Sequence, residues 1–145
     1  MDEAFYTDPE VCQVILLDYA KNPRHAGRCE GETHAAEGMN PACGDVVKMG
    51  FRVEGERLVQ ARIAGAGCAV SQASAGLLAQ ELEGKTMQAA REILREMGSL
   101  LAGDAVKSGV LGQLLVLRMI TGNPARVRCA RVALEVAVEA LGEAR

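Results

Sequence analysis

The sequence predicts an α+β fold, with a small antiparallel β-sheet and helices packed on one face of it. Three observations predict it. The apolar pattern has helical spacing near the start, alternates through residues 46–53 with a second strand-like run at 58–64, and returns to helical spacing from position 69 onward. The 145 residues, 49% of them hydrophobic, read as one domain (residues 1–145) with enough apolar content for its own core.

Taken in order, Asp8-Pro9 is a helix start, a capping carboxylate followed by a first-turn proline. Cys12, Ile15, Leu16 and Tyr19 then form a stripe through roughly Ala20. Residues 21–44 carry Asn22-Pro23, Gly27, Gly31, Gly38 and Asn40-Pro41, and read as an extended loop. So long a loop in a compact domain is usually functional. In residues 46–53, Val47, Met49, Phe51 and Val53 alternate with Lys48, Gly50 and Arg52. Glu54-Gly55-Glu56 turns the chain, and residues 58–64 return as the second strand of a hairpin with one buried face. Gly65-Ala66-Gly67-Cys68 is a glycine-rich turn into a helix running from Ala69 to about Leu82. Residues 86–101 form an amphipathic helix with Met87, Ala90, Ile93, Leu94 and Met97 on its stripe. After Gly103-Asp104 comes a second apolar helical segment, residues 110–120. Asn123-Pro124 opens the last helix, with Val127, Ala130, Leu134, Val138 and Leu141 on one side.

The net charge of −3 and the absence of a basic stripe argue against a nucleic-acid or anionic-membrane partner. No apolar run reaches membrane-spanning length, because Arg118, Glu135 and Glu139 interrupt the longest ones. The acidic start, MDEAFYTDPE, lacks the basic and apolar regions of a signal peptide, so a cytoplasmic location is expected. Five cysteines in such a chain make a disulfide framework a poor explanation. They are core thiols, nucleophiles or metal ligands.

Local context separates them. Cys12 lies on an apolar stripe and reads as a buried thiol. Cys29 sits in the polar loop with no arranged partner. Cys43 lies in Asn40-Pro41-Ala42-Cys43-Gly44-Asp45, where proline fixes the approach, glycine frees the turn, and Asp45 sets a carboxylate beside the thiol. Cys68 falls at a helix N-terminus, where unpaired amides favour the thiolate. Cys129 is flanked by Arg126, Arg128 and Arg131, whose charge also favours thiolate.

Three such thiols and a carboxylate suit a tetrahedral zinc or iron site, since soft sulfur donors select those metals. Spacing leaves convergence open, because no CxxC pair is present and scattered core and surface thiols would read the same way. His25 and His34 lie in the loop and read as solvated side chains. A cysteine hydrolase would need a histidine base beside its nucleophile, and neither histidine has that setting. A purely structural zinc module is the other alternative, with ligands unusually dispersed for one.

These residues resemble the U-type iron–sulfur cluster assembly scaffold family, the NifU N-terminal domain type, along nearly the whole chain. The likeness runs through Leu17-Asp18-Tyr19-Ala20-Lys21-Asn22-Pro23-Arg24-His25-Ala26-Gly27 and the Cys43 motif. It continues in Gly65-Ala66-Gly67-Cys68-Ala69-Val70-Ser71-Gln72-Ala73-Ser74 and in Pro124-Ala125-Arg126-Val127-Arg128-Cys129-Ala130. The resemblance implies a scaffold that takes sulfur from a cysteine desulfurase, holds a transient iron–sulfur cluster on Cys43, Cys68 and Cys129, and passes it to apo iron–sulfur proteins. Asp45 matches the family's site aspartate. Arg128 stands where the common scaffold branch has a histidine, and residues 100–117 look like an added segment. Both features, with Arg126, resemble the zinc-binding sulfur-mobilisation branch. That branch implies resting zinc on Cys43, Asp45, Cys68 and Cys129 and a sulfur-accepting role for the protein; the helical position and arginine neighbours of Cys129 make it the expected acceptor. It leaves a non-enzymatic scaffold or acceptor beside a zinc-dependent sulfurtransferase that activates the desulfurase.

Overall fold

The computed structural model describes residues 3–142. A 3-10 turn, Glu3–Thr7, leads into α1 (Pro9–Lys21). The strands β1 (His34–Asn40), β2 (Asp45–Glu54) and β3 (Arg57–Ala66) follow, then α2 (Ala69–Leu82) and α3 (Met87–Leu101). A 3-10 helix, Gly112–Ile120, and α4 (Pro124–Leu141) complete the described chain. The α+β class expected from the sequence is what the chain adopts.

The sheet is antiparallel in the order β1-β2-β3. Its inner face is set by the alternation in β2, where Val47, Met49 and Phe51 are buried, with Leu58, Ala61 and Ile63 of β3 beside them. On that layer, α4 packs across β1 and β2 while α2 packs on β3 and β2, with α1 and α3 further out. Helix starts follow the expected chemistry. Asp8 accepts from the Glu10 amide, Thr86 from Ala89, and Asn123 from Ala125 and Arg126. Each such cap contributes about 1 kcal/mol.

Phe51 is fully buried at the centre of this layer. Phe51→Ala is therefore expected to lower unfolding free energy by about 3–5 kcal/mol. Urea denaturation checks this, and a loss under about 1 kcal/mol would mean that the cavity collapses freely.

Two expectations need correction. Residues 21–44 are not one loop, since β1 lies within them and pairs His34 with Phe51 through Asn40 with Asp45. Its sequence, HAAEGMN, lacks the β-branched residues that mark strands, and its edge position asks for little burial. Residues 110–120 are apolar and helical as expected, but the regular part, Gly112–Ile120, is a 3-10 helix. Gly112 at φ +53° starts it, and a Cβ there would strike the Glu81 carboxylate, which accepts from the Gln113 amide.

Candidate metal centre

The turn between β1 and β2 is built by Asn40. Its side-chain Oδ1 accepts from the Ala42 amide at 3.2 Å, and its backbone carbonyl accepts from Cys43 at 3.2 Å and Gly44 at 2.8 Å. Gly44, at φ +71°, closes the turn in a conformation that disfavours side chains. Cys43 is thereby left exposed at the turn, while Asp45, two residues on, is wholly buried at the head of β2.

A buried carboxylate needs donors. Asp45 Oδ1 accepts the Cys68 backbone N–H at 2.8 Å, and Asp45 Oδ2 lies 3.7 Å from Cys68 Sγ. This approach requires Gly67, because a Cβ there would stand 2.6 Å from Asp45 Oδ1. Cys68 is the N-cap of α2, and its sulfur accepts from the Ser71 amide at 3.4 Å. The helix-terminus setting read from the sequence is therefore realised.

Cys129 arrives from the other side on α4. Gly38 of β1 lets that helix lie close, as a Cβ at this position would be 2.8 Å from Val136 Cγ2. The thiol ends over the Asn40 turn, where Asn40 Nδ2 donates to Cys129 Sγ at 3.8 Å. Cys129 Sγ stands 3.8 Å from Cys43 Sγ. Among the described residues, ligating atoms of Cys43, Asp45 and Cys129 all lie within 4.8 Å of one another. Cys68 joins them through Asp45. An open cleft of about 360 Å³ is lined by the three cysteines together with Val70, Asn123 and Arg126.

The electrostatics of Cys129 differ from the expectation. The residue is only 4% exposed, and burial pushes its thiol well above the ordinary range, reinforced by the Cys68, Asp45 and Cys43 side chains. Its flanking arginines do not offset this: Arg126 and Arg128 are exposed. A cluster of anion-forming donors with no internal cation is costly to charge, and a dication relieves that cost. Distances agree with this. Sulfur ligands about 2.3 Å from a tetrahedral centre stand about 3.8 Å apart, as Cys43 and Cys129 do. The donor set fits zinc.

The remaining candidates lie elsewhere. Cys12 is a buried thiol donating to the Tyr6 carbonyl. Cys29 is also buried rather than loosely placed in a polar loop, with its sulfur 3.4 Å from Gln60 Oε1. His25 is held by Gln80 Oε1 at 2.7 Å and faces Glu83, so it is an anchored loop residue and not a solvated one. His34 pairs with Thr33 Oγ1. Neither histidine joins the cleft. Asn40 is the site residue that sequence reasoning passed over, and its place before Pro41 in a cysteine turn was the available signal.

Residues 12–130 match the family model described as the NifU-like N terminal domain. The iron–sulfur cluster assembly scaffold protein IscU of Thermotoga maritima is 31% identical over 126 residues, covering 87% of this chain and 89% of that protein. The zinc-dependent sulfurtransferase SufU of Bacillus subtilis is 28% identical over 117 residues, covering 80% of this chain and 79% of that protein. A solved structure of a candidate iron–sulfur cluster assembly scaffold protein for the SUF system of Fervidobacterium islandicum AW-1 superimposes with a TM-score of 0.83. It has 31% identity and covers 88% of this chain and 93% of that one. Among the described residues, no helix is long and apolar enough to cross a membrane.

Proposed function

Because the chain belongs to the NifU-like N-terminal domain family, we propose that it serves iron–sulfur cluster biosynthesis through the cleft of Cys43, Asp45, Cys68 and Cys129. It accepts sulfur from a cysteine desulfurase and holds zinc, or a nascent cluster as cargo, for transfer to apo-proteins. The observation that carries this is the convergence of Cys43, Asp45 and Cys129 donor atoms within 4.8 Å, with Cys68 against the same carboxylate.

Residues play separate parts. Cys43 is exposed and meets the desulfurase first, whereas Cys129, the acceptor expected from its arginine neighbours, is buried behind it. The Cys43 thiolate attacks the outer sulfur of the enzyme's persulfide. That S–S bond breaks, the enzyme regains its thiolate, and Cys43 carries the persulfide. Asp45 supplies the hard oxygen donor and fixes the Cys68 backbone. Zinc bound by Cys43, Asp45, Cys68 and Cys129 would keep the thiols as thiolates without oxidising them.

A second reading is a zinc-dependent sulfurtransferase that accelerates the desulfurase without building clusters. Arg128 favours it, since an arginine precedes Cys129 where a histidine could have served as a further ligand. The two part experimentally. Zinc-loaded chain is added to a cysteine desulfurase and alanine is measured, while a parallel sample is given iron and sulfide and then an apo iron–sulfur protein. Stimulation without cluster transfer selects the sulfurtransferase, and transfer without stimulation selects the scaffold. A chain that neither stimulates nor transfers overturns both.

A further inference from the structure

We propose that Cys129 releases, as sulfide, the sulfur that Cys43 receives, by closing a Cys43–Cys129 disulfide. The inference rests on the sulfur-accepting reading above and adds a reductive activity to it. A cluster contains sulfide, whereas a persulfide carries sulfur at the zero-valent level, so two electrons must enter between them. The structure places a two-electron donor in contact with the acceptor. Cys129 Sγ lies 3.8 Å from Cys43 Sγ, with Asn40 Nδ2 donating to it from the same turn.

The two thiols have unequal access. Cys43 is exposed, so an incoming persulfide finds it, and Cys129 is buried on its inner side, where external thiols do not compete. Cys129 attacks Cys43 Sγ, the inner sulfur of the persulfide. The bond from Cys43 Sγ to the outer sulfur breaks, and its electron pair leaves with that sulfur. The net reaction turns one Cys43 persulfide and one Cys129 thiol into one Cys43–Cys129 disulfide and one hydrogen sulfide. The Cys129 proton departs on the sulfide, both cysteines are oxidised by one electron each, and the outer sulfur gains two. The open cleft lets the product out. A dithiol reductant of the thioredoxin class returns the disulfide to two thiols. Because the step uses two proposed zinc ligands, it belongs to the metal-free chain, and the disulfide form holds no zinc.

The test starts with full-length chain, metal-stripped, loaded with persulfide by a cysteine desulfurase or by sodium polysulfide, then freed of excess reagent and reductant. Wild type is expected to release about one sulfide per chain and to show a Cys43–Cys129 linkage in peptide mass maps. Cys129→Ser should keep the extra sulfur on Cys43 and release it at least about tenfold more slowly, having lost the intramolecular thiol. Cys29→Ser, outside the cleft, should behave as wild type. A linkage through Cys68 instead, or equal release from Cys129→Ser, would overturn the proposal. So would wild type that keeps its persulfide. The linkage in wild type decides the matter even where a variant folds poorly. If the desulfurase loads neither the stripped chain nor a zinc-loaded sample, the sulfur-accepting reading fails, and polysulfide loading still decides the disulfide step.

Discussion

Cys129→Ser is expected to strip bound zinc from the purified chain, lowering its affinity by about a hundredfold or more. The reason is positional as well as chemical. Cys129 is the ligand supplied by α4, and its sulfur sits 3.8 Å from Cys43 and within 4.8 Å of an Asp45 oxygen. Without it, the remaining donors come from the β1–β2 turn, the head of β2 and the N-terminus of α2, and nothing closes the site from α4. Serine keeps the shape of the buried side chain, so the helices should survive and circular dichroism should be nearly unchanged. Thermal stability supplies a second readout. Zinc at a thousand times its Kd stabilises a folded protein by about 4 kcal/mol, and the variant should lose that zinc-dependent rise in Tm. Cys12→Ser and Cys29→Ser, whose thiols are buried elsewhere, should retain both metal and response. A Cys129→Ser protein with full metal content and an intact zinc-dependent shift would remove α4 from the site.

Much of the route to this site was legible in the sequence, and the reasons are local. The alternation Val47, Met49, Phe51 marks β2 because a half-buried strand must alternate. The caps at Asp8 and Asn123 were readable for the same reason, as side-chain acceptors answer unpaired amides nearby in sequence. The strand β1 was not readable, because its alanines and glycine are chosen for what lies on top of them. Gly38 exists to admit Val136 of α4, a partner almost a hundred residues away. Missing β1 meant missing the surface that carries Cys129 to Cys43, so spacing alone could leave convergence open. The charge state of Cys129 was misread by the same blindness. Arg126 and Arg128, its neighbours in sequence, are exposed, whereas the groups that raise the thiol, Cys68, Asp45 and Cys43, are neighbours only in space.

Gly65→Ala should damage fold and site together, though it touches no proposed ligand. Gly65 is near the end of β3, paired with Val47, and adopts φ +130°, where side chains are strained. A Cβ there would lie 2.0 Å from the Val46 carbonyl oxygen, a backbone atom that cannot rotate away. The strands must part at the end where β2 carries Asp45 and where the chain leaves β3 toward Cys68. The bond from the Cys68 amide to Asp45 Oδ1 spans that junction. Strain and lost pairing together are expected to cost about 3 kcal/mol or more. That corresponds to roughly 10 °C in Tm for a chain of this size. Gly84→Ala is the control, since Gly84 also has positive φ (+86°) but nothing within 4 Å of the added carbon. It should lose only the backbone term, about 1 kcal/mol, and keep its zinc. Equal losses in the two variants would mean that β2 and β3 relax freely at Gly65. If Gly65→Ala alone loses both stability and metal, the close approach of β3 to Val46 is what seats Asp45 beneath Cys68.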